Sequence, residues 1–190
     1  MRKILIFVSV ISVALAASCS GQKSLFKDFK EKFPLKELPL RIPHDCSERS
    51  ANDPSNLTQA ELVDILKLET GVWKYSDEYY YNTGCRFTVS NGIEAILYFR
   101  SYLPFDFSKQ KSECVLAVFR NGQLADNLVI QGSIGDDLSF KSTITKELEI
   151  TVLFEKLTLD ESGESNAAMN AERYSINGRG KIIPIEAEKK

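Results

Sequence analysis

The chain has 190 residues, 24 basic and 26 acidic side chains, a single histidine and four cysteines. That charge balance offers no excess of positive charge for nucleic acid, and the length is enough for one domain that buries a core without a dense disulfide framework. With His44 the only imidazole, any triad of the serine or cysteine hydrolase kind would have to use it.

The first eighteen residues open on Met1-Arg2-Lys3 and run through apolar Ile4 to Ala17, interrupted only by Ser9 and Ser12. This run is too short for a lasting membrane span, which takes about 20 apolar residues, so it reads as an export signal. It ends in Ala16-Ala17-Ser18-Cys19, followed at once by polar Ser20-Gly21-Gln22-Lys23. Small residues, a cysteine and then a polar stretch resemble the lipobox of bacterial lipoproteins, with Ala16 standing where leucine is commoner. The resemblance implies that residues 1–18 are removed, that the Cys19 thiol is acylated, and that the lipid on Cys19 makes the membrane a partner. Serine rather than aspartate after the cysteine implies export to the outer membrane of a double-membraned cell. Residues 19–24 then serve as a lipidated tether, and residues 25–190 form a single β-rich domain. The signal holds two of the 24 basic residues and no acidic one, so the remainder carries a net charge of −4; lipid, not charge, is the expected anchor. Each buried CH₂ contributes about 0.8 kcal/mol, and stable attachment needs more than one chain.

Cys46, Cys85 and Cys114 remain, and an exported context favours pairing. A simple meander would place Cys85 and Cys114 two strands apart, about 10 Å, beyond the ~7 Å reach of a bridge. Cys46 lies in an irregular segment and could meet either. One disulfide involving Cys46, a Cys85–Cys114 bridge, and three reduced thiols packed as small apolar groups all stay open. A zinc site from His44 and Cys46 lacks any paired spacing; neither metal nor cofactor is expected.

Leu25, Phe26, Phe29 and Phe33 fall at helical spacings, which predicts a short helix opened by Ser24 and stopped by Pro34. Its aromatic stripe suits packing on the domain better than the bilayer surface. Leu38, Leu40 and Ile42 alternate among prolines and predict an extended edge segment. Thr58 and Glu61 form a capping box opening a helix over Leu57 to Glu69, with Leu62, Ile65 and Leu66 inward and Gly71 beyond its end.

From residue 72 the period becomes two. Cys85 to Val89, Asn91-Gly92 and Ile93 to Phe99 predict a hairpin of type I′, and Val115 to Arg120, Asn121-Gly122 and Leu124 to Gln131 a second. Leu138 to Ile144 pairs with Leu148 to Phe154, and Tyr174 to Ile185 holds a last short pair around Asn177-Gly178 or a bulged strand. The prediction is a mainly β fold: an antiparallel meander with one wet and one buried face, curled into a bent sheet or partly closed barrel, with one or two short N-terminal helices covering it. A two-sheet sandwich is the alternative.

Little in the pattern speaks for catalysis. Gln131-Gly132-Ser133-Ile134-Gly135 lacks the spacing of a nucleophile elbow, and Ser133 reads as turn chemistry. Asp77-Glu78 and Asp136-Asp137 read as solvated turn residues rather than a glycosidase pair, and Asp160 to Asn166 has no calcium-loop order. The unusual feature is Trp73, Tyr75, Tyr79, Tyr80 and Tyr81, with Tyr98, Tyr102, Phe105 and Phe107 further on. Trp73, Tyr75, Tyr79 and Tyr81 share one parity and are expected inward. Tyr80 is expected in water as a ligand contact, because an amphipathic ring offers contact area at low entropy cost. The sequence therefore points to a non-catalytic envelope lipoprotein that binds a glycan or protein near the membrane, with a structural subunit of an envelope complex as the alternative and, third, a hydrolase that would need His44 or a carboxylate pair inside a cleft.

Overall fold

The computed structural model describes residues 25–47, 57–68, 78–104, 110–134, 138–159 and 165–186. Among the described residues, nine strands form one antiparallel sheet. β1 (Leu40–Ile42) comes first in the chain, then the meander β2 (Tyr79–Ser90), β3 (Ile93–Tyr102), β4 (Lys111–Arg120), β5 (Gln123–Ile134), β6 (Leu138–Ile144), β7 (Glu149–Leu159), β8 (Ser165–Ile176) and β9 (Ile182–Pro184). Strands β2 to β9 pair in chain order and β1 joins β6 from the side, so the sheet ends at β2 and β9 and does not close.

The sheet bends on itself at β5. Only Gly132, Ser133 and Ile134 of β5 pair with β6, and one core joins Phe87, Leu97 and Leu116 of the first half to Ile144, Ile150 and Val152 of the second. Gly132 marks the junction, since a Cβ there would run into the Ser112 carbonyl and the Phe140 ring. Beyond this short contact the free edge of β6 is taken by β1, with Leu40 opposite Ile144 and Ile42 opposite Ser142. The segment leading into β1 holds the other end of the sheet. Arg86 donates its backbone N–H to the Pro34 carbonyl at 3.0 Å, and Lys36 donates to the Arg86 carbonyl at 2.8 Å. A disulfide between Cys46 and Cys85 then ties the strap back to β2, while Cys114 stays a buried thiol. Of the three cysteine arrangements left open by the sequence, this is the one involving Cys46. With both sulfurs bonded to each other, neither is available as a zinc ligand or nucleophile.

Two helical segments cover the outer face of β2–β4. Residues 25–31 form α1, whose Phe26 and Phe29 rings meet Phe119 at centroid distances of 4.8 and 6.1 Å. The aromatic stripe packs on its own domain. Residues 59–65 form α2, shorter than the expected Leu57 to Glu69, with its Glu61–Ile65 part wound as a π-helix. The capping box is present: Thr58 N–H donates to Glu61 Oε2 at 2.7 Å and Glu61 N–H to Thr58 Oγ1 at 3.3 Å. The helix stops early because Lys67 adopts a left-handed backbone (φ 56°), with Leu68 N–H closing on the Leu62 carbonyl at 3.0 Å. Gly71 lies outside the described residues.

Because α1 and α2 cover one face and the second half of the sheet covers the other, β3 and β4 are buried on both. Ala95 to Phe99 and Glu113 to Phe119 are buried at every position, which corrects the expectation of one wet face throughout. The alternation holds where no helix lies on the sheet: in β6, Phe140, Ser142 and Ile144 are buried while Lys141 and Thr143 are exposed. The turns also differ among themselves. Asn121 and Gly122 both take left-handed φ (53° and 80°), as a type I′ turn demands. At the first hairpin only Gly92 does (φ 75°), and an irregularity between Thr88 and Ser90 absorbs the mismatch in register. At the last, Asn177 Oδ1 accepts the N–H groups of Arg179 and Lys181, each at 2.9 Å, and Gly180 rather than Gly178 takes the left-handed turn.

Candidate functional site

The chemistry-bearing residues gather at the end of β2–β4 away from the Asn91-Gly92 and Asn121-Gly122 turns. Strand alternation sorts them onto two faces. On the helix-covered side, register places Tyr79 opposite Tyr102 and Lys111, Tyr81 opposite Arg100 and Glu113, and Thr83 opposite Tyr98. The Tyr79 and Tyr102 rings lie 4.8 Å apart. Glu113 is buried among these groups, a position a carboxylate occupies only with charged donors around it. Arg100 supplies Nε at 2.7 Å and Nη2 at 2.5 Å to Oε2, and Lys111 Nζ reaches Oε1 at 2.5 Å. Tyr81 and Tyr98 share this environment. Loss of water pushes each phenol up to about 12, against the opposing pull of the Arg100 guanidinium.

The opposite face of the same strands carries a row of hydroxyls. Tyr80 pairs with Ser101, Ser101 with Ser112, Ser112 with Ser133, and Ser133 with Ser139. Five hydroxyl-bearing residues thus stand in register across five strands, β2 to β6. Ser101 Oγ and Ser112 Oγ lie 3.2 Å apart, Ser101 being buried and Ser112 half-buried, while Ser133 and Ser139 are exposed. Ser133 therefore belongs to the β5 ladder and not to a turn, which corrects the expectation for it. Tyr80 heads the row with 44% of its surface exposed. Its neighbours in the chain hold it in place: the Tyr79 ring packs at a tilt against Tyr102 and Tyr81 is buried.

Of the residues singled out in the sequence, Tyr79, Tyr80 and Tyr81 are brought together as an outward ring between two anchored ones. Cys19, Trp73, Tyr75, Phe105, Phe107, Asp77, Asp136 and Asp137 lie outside the described residues. His44 stands far along the strap, exposed, with Nδ1 2.7 Å from Asp45 Oδ1. That hydrogen bond, with the Arg41 N–H second, holds the Asp45 carboxyl well below its usual range. Arg100, Glu113, Lys111 and the serine row went unnoticed in the sequence, because nothing local marks which strand-end residues will become cross-strand neighbours. Compared with protein-family models, with curated proteins and with solved structures, the chain finds no match. What the fold itself defines is a class, an open antiparallel sheet of nine strands bent into two layers.

Proposed function

We propose that this protein is a lipid-anchored binding module of the bacterial envelope, held by acylated Cys19 at the outer membrane and taking a hydroxyl-rich ligand, a glycan, across the Tyr80 end of its sheet. The observation that carries the reading is the row whose exposed members, Tyr80 at one end and Ser133 and Ser139 at the other, flank half-buried Ser112 and buried Ser101. An aromatic ring mounted between two immobilised neighbours stacks on an apolar sugar face at low entropy cost, and hydroxyls donate and accept in turn. Neighbouring strands lie about 4.8 Å apart, so the row extends for roughly the length of a few sugar residues. The Cys46–Cys85 disulfide supports an exported life, since such bonds persist in oxidising compartments. An envelope-complex subunit that reads protein instead would use the same exposed ring, and this is the second outcome of the test.

The test is retention of the full chain on envelope glycan and, separately, on envelope protein, for wild type and Tyr80→Ala. Glycan retention that falls several-fold in Tyr80→Ala, with an unchanged melting temperature, is the expected result. Retention on protein alone moves the reading to the envelope subunit, and retention indifferent to Tyr80 removes the site.

A further inference from the structure

The site lies at one end of the first layer, and the chain enters that layer at the other. Ser90 lies ten residue steps along β2 from Tyr80, about 33 Å of strand. Phe26, the second residue of α1, packs at the turn end: it meets Phe119 at 4.8 Å, and its ring would be the first atoms a side chain at Gly122 touched. Leu25 follows Cys19 by six residues, so the intervening chain can span at most about 21 Å. If Cys19 carries lipid, the start of α1 and the turns beside it are the part of the domain nearest the bilayer. A tether of that reach still permits the domain to tilt onto its side, and the charges at the turn end decide whether it does.

Two clefts open there, sharing Phe26 and Gly122. The larger, about 430 Å³, is lined by Lys27 and Lys30 of α1, by Gly92 and Asn121 of the turns and by Glu94 of β3. The smaller, about 220 Å³, is lined by Asp64, Lys67 and Gln123. Lys30 is occupied by Glu94 at 2.6 Å. Lys27, Lys67 and, at the end of β4, Arg120 are exposed and have no ion-pair partner among the described residues. The carboxylates at this end are Glu94, already held, exposed Asp64 and Asp28, and Asp126 of β5, which faces Lys181 at 3.9 Å. At the Tyr80 end, by contrast, Arg100 and Lys111 are both committed to Glu113.

We infer that the turn end, through Lys27, Lys67 and Arg120, docks on anionic phospholipid headgroups, so that the domain stands on the bilayer with the Tyr80 row facing away from it. This rests on the proposed acylation of Cys19 and adds to it an orientation. Each cation near an anionic bilayer surface is worth roughly fivefold in surface affinity, screened within a Debye length. These three cations outnumber the exposed Asp28 and Asp64 by one, and that excess, next to a lipid anchor, biases an otherwise loose tether toward one upright pose.

The test uses the full processed chain reconstituted in vesicles of phosphatidylcholine alone or with added phosphatidylglycerol, read by backbone hydrogen exchange. Flotation with phosphatidylcholine vesicles reports the lipid anchor by itself; a chain that fails to float refutes the acylation and not the orientation. For a chain that floats, amides of residues 91–93 and 119–124 should exchange several-fold more slowly when phosphatidylglycerol is present, with residues 79–82 unchanged. The slowing should disappear at high salt and in Lys27→Glu/Lys67→Glu, whose substitutions fall on exposed side chains. Equal exchange in the two vesicle types, slowing at residues 79–82 instead, or slowing that survives the double substitution would overturn the inference.

Discussion

Strands β3 and β4 and strands β6 and β7 are built from similar residue types yet sit in different surroundings. In β4, Val115, Ala117 and Phe119 meet the helices while Cys114, Leu116 and Val118 meet the second half of the sheet. In β7, Ile150 and Val152 face the shared core, but Leu153 is 40% exposed and Met169 of β8, opposite Glu155, is 76% exposed. The difference lies in coverage. Among the described residues, helices α1 and α2 cover β2–β4 and touch the edge of β5 at Leu124 and Val129, so the first half is the middle of three layers and the second half is an outer one. Stability should therefore be concentrated in the first half, and function is free to use the rim where its covering ends.

The largest effect that would test this contrast comes from Phe29, which is fully buried between α1 and the sheet. Phe29→Ala should lose about 3–5 kcal/mol by cavity formation, while Leu153→Ala should stay within about 0.5 kcal/mol. Denaturant unfolding of the two variants decides the matter, and similar losses would mean that the layers are not unequal. The strap is next. Cys46 and Cys85 are 39 residues apart in the chain, and Cys46→Ser/Cys85→Ser should cost about 2–4 kcal/mol, mostly by releasing the unfolded chain. A melting temperature unchanged by the double substitution would show that the strap holds through β1 and β6 alone.

Turns sharpen the comparison further. Gly122 has left-handed φ and lies against Phe26, so Gly122→Val should cost at least about 1–2 kcal/mol. Gly178 has nothing within 4 Å of where a Cβ would stand, and Gly178→Val should fall within about 0.5 kcal/mol. The smallest effect is alkaline. Tyr81 and Tyr98 have folded values raised from 10.0 to about 12, so their contribution is complete below pH 10 and declines as pH rises toward 12, where the unfolded chain alone has lost the protons. Unfolding free energy followed across that window should slope downward, less steeply in Tyr98→Phe; a flat profile would place these phenols in contact with water.

Much of this architecture could be read from residue order. The Asn91-Gly92 and Asn121-Gly122 pairs locate two turns, alternation locates β2 to β7, and the Thr58–Glu61 box locates the start of α2, because each signal is local and has one physical meaning. What escaped was non-local. The unbroken apolar runs of β3 and β4 carry no label saying what will cover both faces, the early stop of α2 at Lys67 follows no residue preference, and Asn91 with the same Gly neighbour as Asn121 enters a different turn. The candidate site divides likewise. Tyr80 was legible, since consecutive residues on a strand face opposite ways; the serine row and the Arg100–Glu113–Lys111 cluster exist only once register is set.

Everything proposed about place and orientation depends on Cys19, and intact-mass and peptide mass spectrometry of the protein extracted from the envelope addresses it directly. The account predicts a mature chain that begins at Cys19 and carries acyl groups on that residue, with residues 1–18 absent. A chain that begins elsewhere with an unmodified Cys19 thiol, or one that retains the signal, would contradict it.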